Sequence, residues 1–182
     1  MSTSKFYAGI GSRVTPDVIK DQMKSIAFAM AKCGYTLRSG GAGGADTAFL
    51  SGAVLAEGNV ELWVPWKGYT YNSYGIKELV QEDIELYFER AEEYHPAWHK
   101  CSIGSKKLHT RNINIMEGAL DKDPVLVDVV VCWTPGGAEI GGTGQAIRYA
   151  KDKGIPIINL AEPQAYDNLM AMLENYINGE SN

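Results

Sequence analysis

The chain has little cysteine. Its three (Cys33, Cys101 and Cys132) lie far apart and are odd in number, which argues against a disulfide framework. No apolar run is long enough to cross a bilayer, and the polar start MSTSK lacks the apolar region of a signal peptide. A cytoplasmic protein with no membrane partner is expected. Basic charge is not in excess either: 17 Lys and Arg face 22 Asp and Glu, a net charge of −5, which makes nucleic acid an unfavoured partner. The lysine of a Walker phosphate loop and the serine elbow of hydrolases are both absent, which removes kinase, ATPase and triad-hydrolase readings. Metal ligands are sparse. His95, His99 and Cys101 cluster in HPAWHKC, but no fourth ligand has a recognisable spacing and Pro96 interrupts any helical face. Neither a metal nor another cofactor is expected.

Glycine, by contrast, is plentiful, with 20 residues, and much of it recurs in one device: a short strand, a glycine-rich turn, then a helix. The device occurs three times. The first turn carries Gly9, Gly11, Ser12 and Arg13. The second carries Ser39, Gly40, Gly41, Gly43, Gly44 and Asp46. The third carries Gly136, Gly137, Glu139, Gly141, Gly142, Thr143, Gly144 and Gln145. Glycines let the backbone turn sharply and bring its N–H groups close to a ligand, while a helix N-terminus adds positive partial charge. Three such loops at one sheet edge make a site for a phosphate or nucleotide. The first loop is not a full dinucleotide fingerprint, since Val14 stands where the third glycine belongs and Arg38-Ser39 where an acidic residue would hold a ribose.

Periodicity gives the rest. Strands are expected at Lys5–Ile10, Tyr35–Arg38, Val60–Val64, Val125–Cys132 and Ile155–Leu160. Helices are expected from Thr15-Pro16-Asp17, with Thr15 as cap, and then from the second turn, Ile76 to Glu93, Lys106–Leu120, Gly142–Lys153 and around Leu169. An aromatic loop (Trp66, Lys67, Tyr69, Tyr71, Tyr74) follows the third strand, where Trp66 and Lys67 are placed to meet a base and a phosphate. Strands alternating with helices imply one α/β domain over residues 1–182: Rossmann-like and doubly wound, with a mostly parallel sheet and helices on both faces. The ligand crevice then lies at the carboxyl ends of the strands.

The segments GIGSR, SGGAGGADTAF, LHTRNINIM and VVVCWTPGGAEIGGTGQAIRYAKDKGIPIINL, taken in that order, resemble the SLOG superfamily, which joins the Lonely Guy phosphoribohydrolases to the DprA-type DNA-processing proteins. The likeness covers nearly the whole chain. It implies that Arg111, in Leu108-His109-Thr110-Arg111-Asn112, corresponds to an arginine that acts at an N-glycosidic bond. The partner glutamate of that chemistry is missing, with Ala146 in its place, and Glu139 in the same loop is the substitute candidate, ahead of Asp46.

The leading reading is therefore a protein that binds a nucleotide or nucleotide-derived molecule, as sensor or sink. Phosphates would rest on the N–H groups of Gly11, Gly43, Gly142 and Thr143, with charge from Arg13 or Arg111. One alternative is an N-glycosidic hydrolase of nucleoside monophosphates using Arg111 and Glu139. Another is a DprA-like binder of single-stranded DNA. A homo-oligomer is expected by resemblance.

Overall fold

The computed structural model describes residues 4–70 and 72–179, so Tyr71 of the aromatic loop lies outside the described residues. Strand β1 (Lys5–Gly11) leads to helix α1 (Asp17–Lys32), β2 (Tyr35–Ser39) to α2 (Ala45–Leu55), and β3 (Val60–Val64) to a short β4 (Glu78–Val80). Helices α3 (Phe88–Glu92) and α4 (Ile103–Glu117) precede β5 (Val129–Trp133), which is followed by α5 (Gly141–Asp152), β6 (Ile157–Asn159) and α6 (Ala165–Ile177). The six strands form one sheet in the order β4-β3-β2-β1-β5-β6, and every neighbouring pair is parallel. This is the doubly wound α/β architecture that the alternation predicts.

Burial runs continuously through the central strands because the sheet is covered on both faces. Tyr7, Leu37 and Val131 pack against Met23, Ile26, Phe49 and Leu173 of α1, α2 and α6. Ala8, Ile10, Val130 and Cys132 pack against Ile113 and Met116 of α4 and Ile147 of α5. The small-residue face of α2 lets it approach α1 closely: a Cβ on Gly52 would meet the Lys24 backbone and lie 2.9 Å from the Ala27 Cβ.

The chain winds outward from β1 to β4, then crosses back to lay β5 beside β1, pairing Tyr7 with Val129 and Gly11 with Trp133. That reversal creates a crevice between the loops after β1 and β5.

Several local expectations are corrected. Thr15 does not cap α1; its hydroxyl donates to the Ser12 carbonyl at 2.6 Å, and Pro16 holds the cap position without a side-chain bond. The charged stretch from Ile76 to Glu93 is not one helix. It contains β4, a 3-10 turn (Ile84–Tyr87) and α3, because three residues of it pair with β3 and close the sheet edge. Helix α4 starts at Ile103 rather than Lys106, capped by Ser102, whose Oγ accepts the Ser105 N–H at 3.2 Å. Strand β5 starts at Val129, not Val125; Val125 and Leu126 are exposed.

Candidate functional site

A crevice of about 550 Å³ opens at the carboxyl ends of β1 and β5. Its walls come from the loop after β1, the start of α2, the loop after β5 with the first turn of α5, and one face of α4. Of the residues singled out from sequence, Gly11, Ser12, Arg13, Asp46, Arg111, Gly141, Gly142 and Thr143 line it.

Arg111 dominates this site. It is 5% exposed, and its Nη1 donates to the carbonyls of Gly40 and Trp63, the latter at 3.2 Å. Its Nε has no hydrogen-bond partner. Burial lowers its pKa while the nearby Asp46 opposes that shift. A glycine at position 40 is a steric requirement, since a Cβ there would run into the Arg111 guanidinium and lie 2.9 Å from the Asp46 carboxylate.

Asp46 is also buried, and its Oδ2 accepts the Ala42 N–H at 3.1 Å. Burial pushes its pKa up to about 6, against the pull of Arg111. It is the one carboxylate among the described residues that line the crevice. Arg13 is exposed at the mouth and donates to the Tyr69 hydroxyl at 3.1 Å, while the Arg111 guanidinium sits 5.7 Å from the same ring. Tyr69 thus ties the two cations together.

The glycine turns set this geometry. Gly44 (φ +80°) carries the chain into α2 where a Cβ would lie 2.7 Å from the Ser12 and Arg13 carbonyls. The loop after β5 feeds α5, whose first turn has no side-chain cap. The N–H groups of a helix's first turn have no intrahelical partners and favour an anion.

Other sequence candidates sit elsewhere. Gly9 is a packing position inside β1, where a Cβ would lie 2.7 Å from the Phe49 ring. Ser39 is buried and donates to the Gly9 carbonyl at 2.7 Å. Gly41 packs on Leu62 and Thr70, whereas Gly43, Gly136 and Gly137 face open space. Trp66 and Lys67 are exposed and outside the crevice wall, with Trp66 edge-on to Tyr69 at 5.4 Å. Gly144 packs on the Glu139 backbone, which folds that loop back along α5. Consequently Glu139 pairs with Lys151 and does not line the crevice.

Gln145 is fully buried behind the wall. Its Nε2 donates to the Ala91 carbonyl at 3.3 Å, and its Oε1 accepts Asn112 Nδ2 at 3.0 Å. Tyr69, His109, Asn112, Ile115 and Met116 are lining residues that the sequence reading did not assign. Leu108, Arg111, Asn112, Ile115 and Met116 recur at helical spacing, a stripe that reads as core until an arginine and an asparagine are noticed in it.

No family model matches the chain, and no curated protein matches it in sequence. Solved structures do. The molybdenum cofactor carrier protein of Chlamydomonas reinhardtii superimposes with a TM-score of 0.56 at 16% identity, over 93% of this chain and 85% of that one. DNA processing protein A of Helicobacter pylori, described by its single-stranded DNA binding mode, gives 0.59 at 20% identity over 98% and 80%. DprA of Streptococcus pneumoniae gives 0.54 at 12% identity, this chain spanning 56% of its length. The fold is of the SLOG type. These neighbours include a molybdenum cofactor carrier and DNA processing proteins, and the likeness to them is one of fold. Among the described residues, no helix is long and apolar enough to cross a membrane.

Proposed function

We propose that this protein binds a phosphorylated nucleotide, or a small molecule derived from one, in the crevice between β1 and β5. The observation that carries this reading is Arg111: a buried guanidinium, on the crevice wall, with an unpartnered Nε. An unmade hydrogen bond on a buried charged group is costly, and a guanidinium on the crevice wall is a positive charge that an incoming anion can pair with. Arg13 and the first turn of α5 supply further donors for the same charge. A carrier of a small cofactor among the structural neighbours supports the binding reading.

A second reading, N-glycosidic hydrolysis, is favoured by one feature. Asp46 lies in the crevice with its carboxyl raised to about 6, where it can exchange a proton near neutral pH. In that case Asp46 carries the chemistry, because Glu139 is engaged with Lys151.

The test is incubation of the purified protein with nucleoside monophosphates, dinucleotides and cyclic nucleotides, followed by mass spectrometry of bound and free fractions. One ligand recovered intact, and lost in Arg111→Met, is the expected result. Release of free base, abolished by Asp46→Asn, turns the assignment to the hydrolase. No binding and no release overturns both, and labelled single strands are then the next probe.

A further inference from the structure

Outside the nucleotide reading, a second cluster stands out. Pro96 and the 3-10 turn Trp98–Lys100 fold the segment after α3 back against α4. This brings His95, Cys101 and His109 together, so that one nitrogen of each imidazole and the Cys101 Sγ all lie within 4.8 Å of one another. His99, their neighbour in sequence, is exposed and is not a member. The Cys101 Sγ is 3.9 Å from both His95 nitrogens, and the two imidazole centroids are 4.2 Å apart. Trp98 flanks both rings at 6.2 and 6.3 Å.

The buried Gln145 decides which nitrogen His109 presents. Its amide nitrogen faces the Ala91 carbonyl, so its Oε1 is the acceptor for Asn112 and for His109 Nδ1, at 3.2 Å. His109 must then donate from Nδ1, which leaves the lone pair on Nε2. A ring nitrogen fixed by an outer oxygen is the usual support of a metal-ligating histidine. Burial also lowers the pKa of His109.

We propose that His95, Cys101 and His109 bind a divalent transition cation of the zinc type. Two imidazoles and a thiolate are the donor set of borderline-soft cations. Tetrahedral ligands stand about 3.3–3.6 Å apart, given bonds of about 2.1 Å to nitrogen and about 2.3 Å to sulfur, so side-chain shifts of about 1 Å close the site. Binding displaces the Cys101 thiol proton to solvent. It also costs one hydrogen bond, from the Ala97 N–H to His95 Nδ1 at 3.2 Å, because that nitrogen must carry the ring proton when Nε2 ligates. No fourth ligating side chain joins the group among the described residues. Three protein ligands are the number of an open site, with the fourth position left to water or to an incoming donor. His109 also lines the crevice. The expectation of no metal rested on spacing within HPAWHKC; the ligand that changes the reading comes from α4.

Cobalt(II) is the probe. Chelator-treated protein should bind one equivalent, with a thiolate-to-cobalt charge-transfer band and the strong visible bands of tetrahedral cobalt, both erased by zinc. Cys101→Ser should abolish the charge-transfer band, and His95→Ala and His109→Ala should each weaken binding at least tenfold. His99→Ala should change nothing. Should Cys101→Ser fail to fold, alkylation of the native protein replaces it: Cys101 is partly exposed while Cys33 and Cys132 are buried, and zinc should protect the one reactive thiol at least tenfold. Absence of the thiolate band at several equivalents of cobalt, its survival in Cys101→Ser, or no protection by zinc overturns the proposal.

Discussion

Arg38 and Arg111 are buried almost equally, 3% and 5% exposed, yet they occupy opposite kinds of environment. Arg38 is closed on itself: its Nε donates to Glu61 at 2.6 Å, its Nη1 to the Val125 carbonyl, and its guanidinium lies 3.9 Å from the Phe6 ring centroid. Arg111 is held by two backbone carbonyls and keeps an unpartnered Nε. The first arginine is part of the fold. The second, on the crevice wall, is the one that the proposed binding uses. Satisfied and unsatisfied buried charge are therefore a better guide to the site than burial.

Mutation separates the two. Arg38→Met strands the half-buried Glu61 and should cost about 3 kcal/mol in urea unfolding, the largest effect expected here, because breaking such a pair leaves an uncompensated charge. Arg111→Met should shift stability by less than about 1 kcal/mol, since Asp46 can take a proton instead. It should nevertheless lower anion affinity about 100-fold, measured by calorimetry with the ligand that the panel identifies. Equal stability losses in the two variants would erase the distinction.

A smaller effect is expected from pH. The Asp46 carboxyl is raised from 3.8 to about 6 by burial, so it protonates as pH falls through 6 and removes a negative charge beside Arg111. Affinity for sulfate, whose charge is constant in this range, should rise several-fold between pH 7 and pH 5, and Asp46→Asn should flatten the profile. The linked stability has the sign of a raised acid: fully present below 3.8 and lost as pH rises through about 6. Smallest of all, Glu139→Gln removes an exposed ion pair and should change stability by less than about 0.5 kcal/mol and ligand binding not at all.

The succession of five strands along the chain and the three turns were legible because each is a local signal: a β-branched run, a glycine where the chain must turn, a proline where a helix begins. What was not legible depends on distant pairing. Nothing in Glu78-Leu79-Val80 announces a strand, since it becomes one only beside β3, where the Glu78 carboxylate also accepts the N–H groups of Gly68 and Thr70. Arg13 and Arg111 were candidates from sequence, but the tyrosine they share was not tied to them, because Tyr69 reaches them across a loop with no fixed spacing. Glu139 looked available for the crevice, and the packing of Gly144 turns it along α5 instead. His109 joins His95 and Cys101 through tertiary packing, which linear spacing does not record.

The sheet order has a consequence for how the protein is made. The crevice lies between β1 and β5, the first strand and the last but one, and its far wall is the helix that follows β5. A ribosome that has released everything up to β4 has produced one lip of the pocket and none of the other. Contacts this remote in sequence form late, so the nascent chain passes through a long interval in which the β1 edge is unpaired and the crevice is incomplete. The crevice should be completed all at once, with the strand that closes the centre of the sheet.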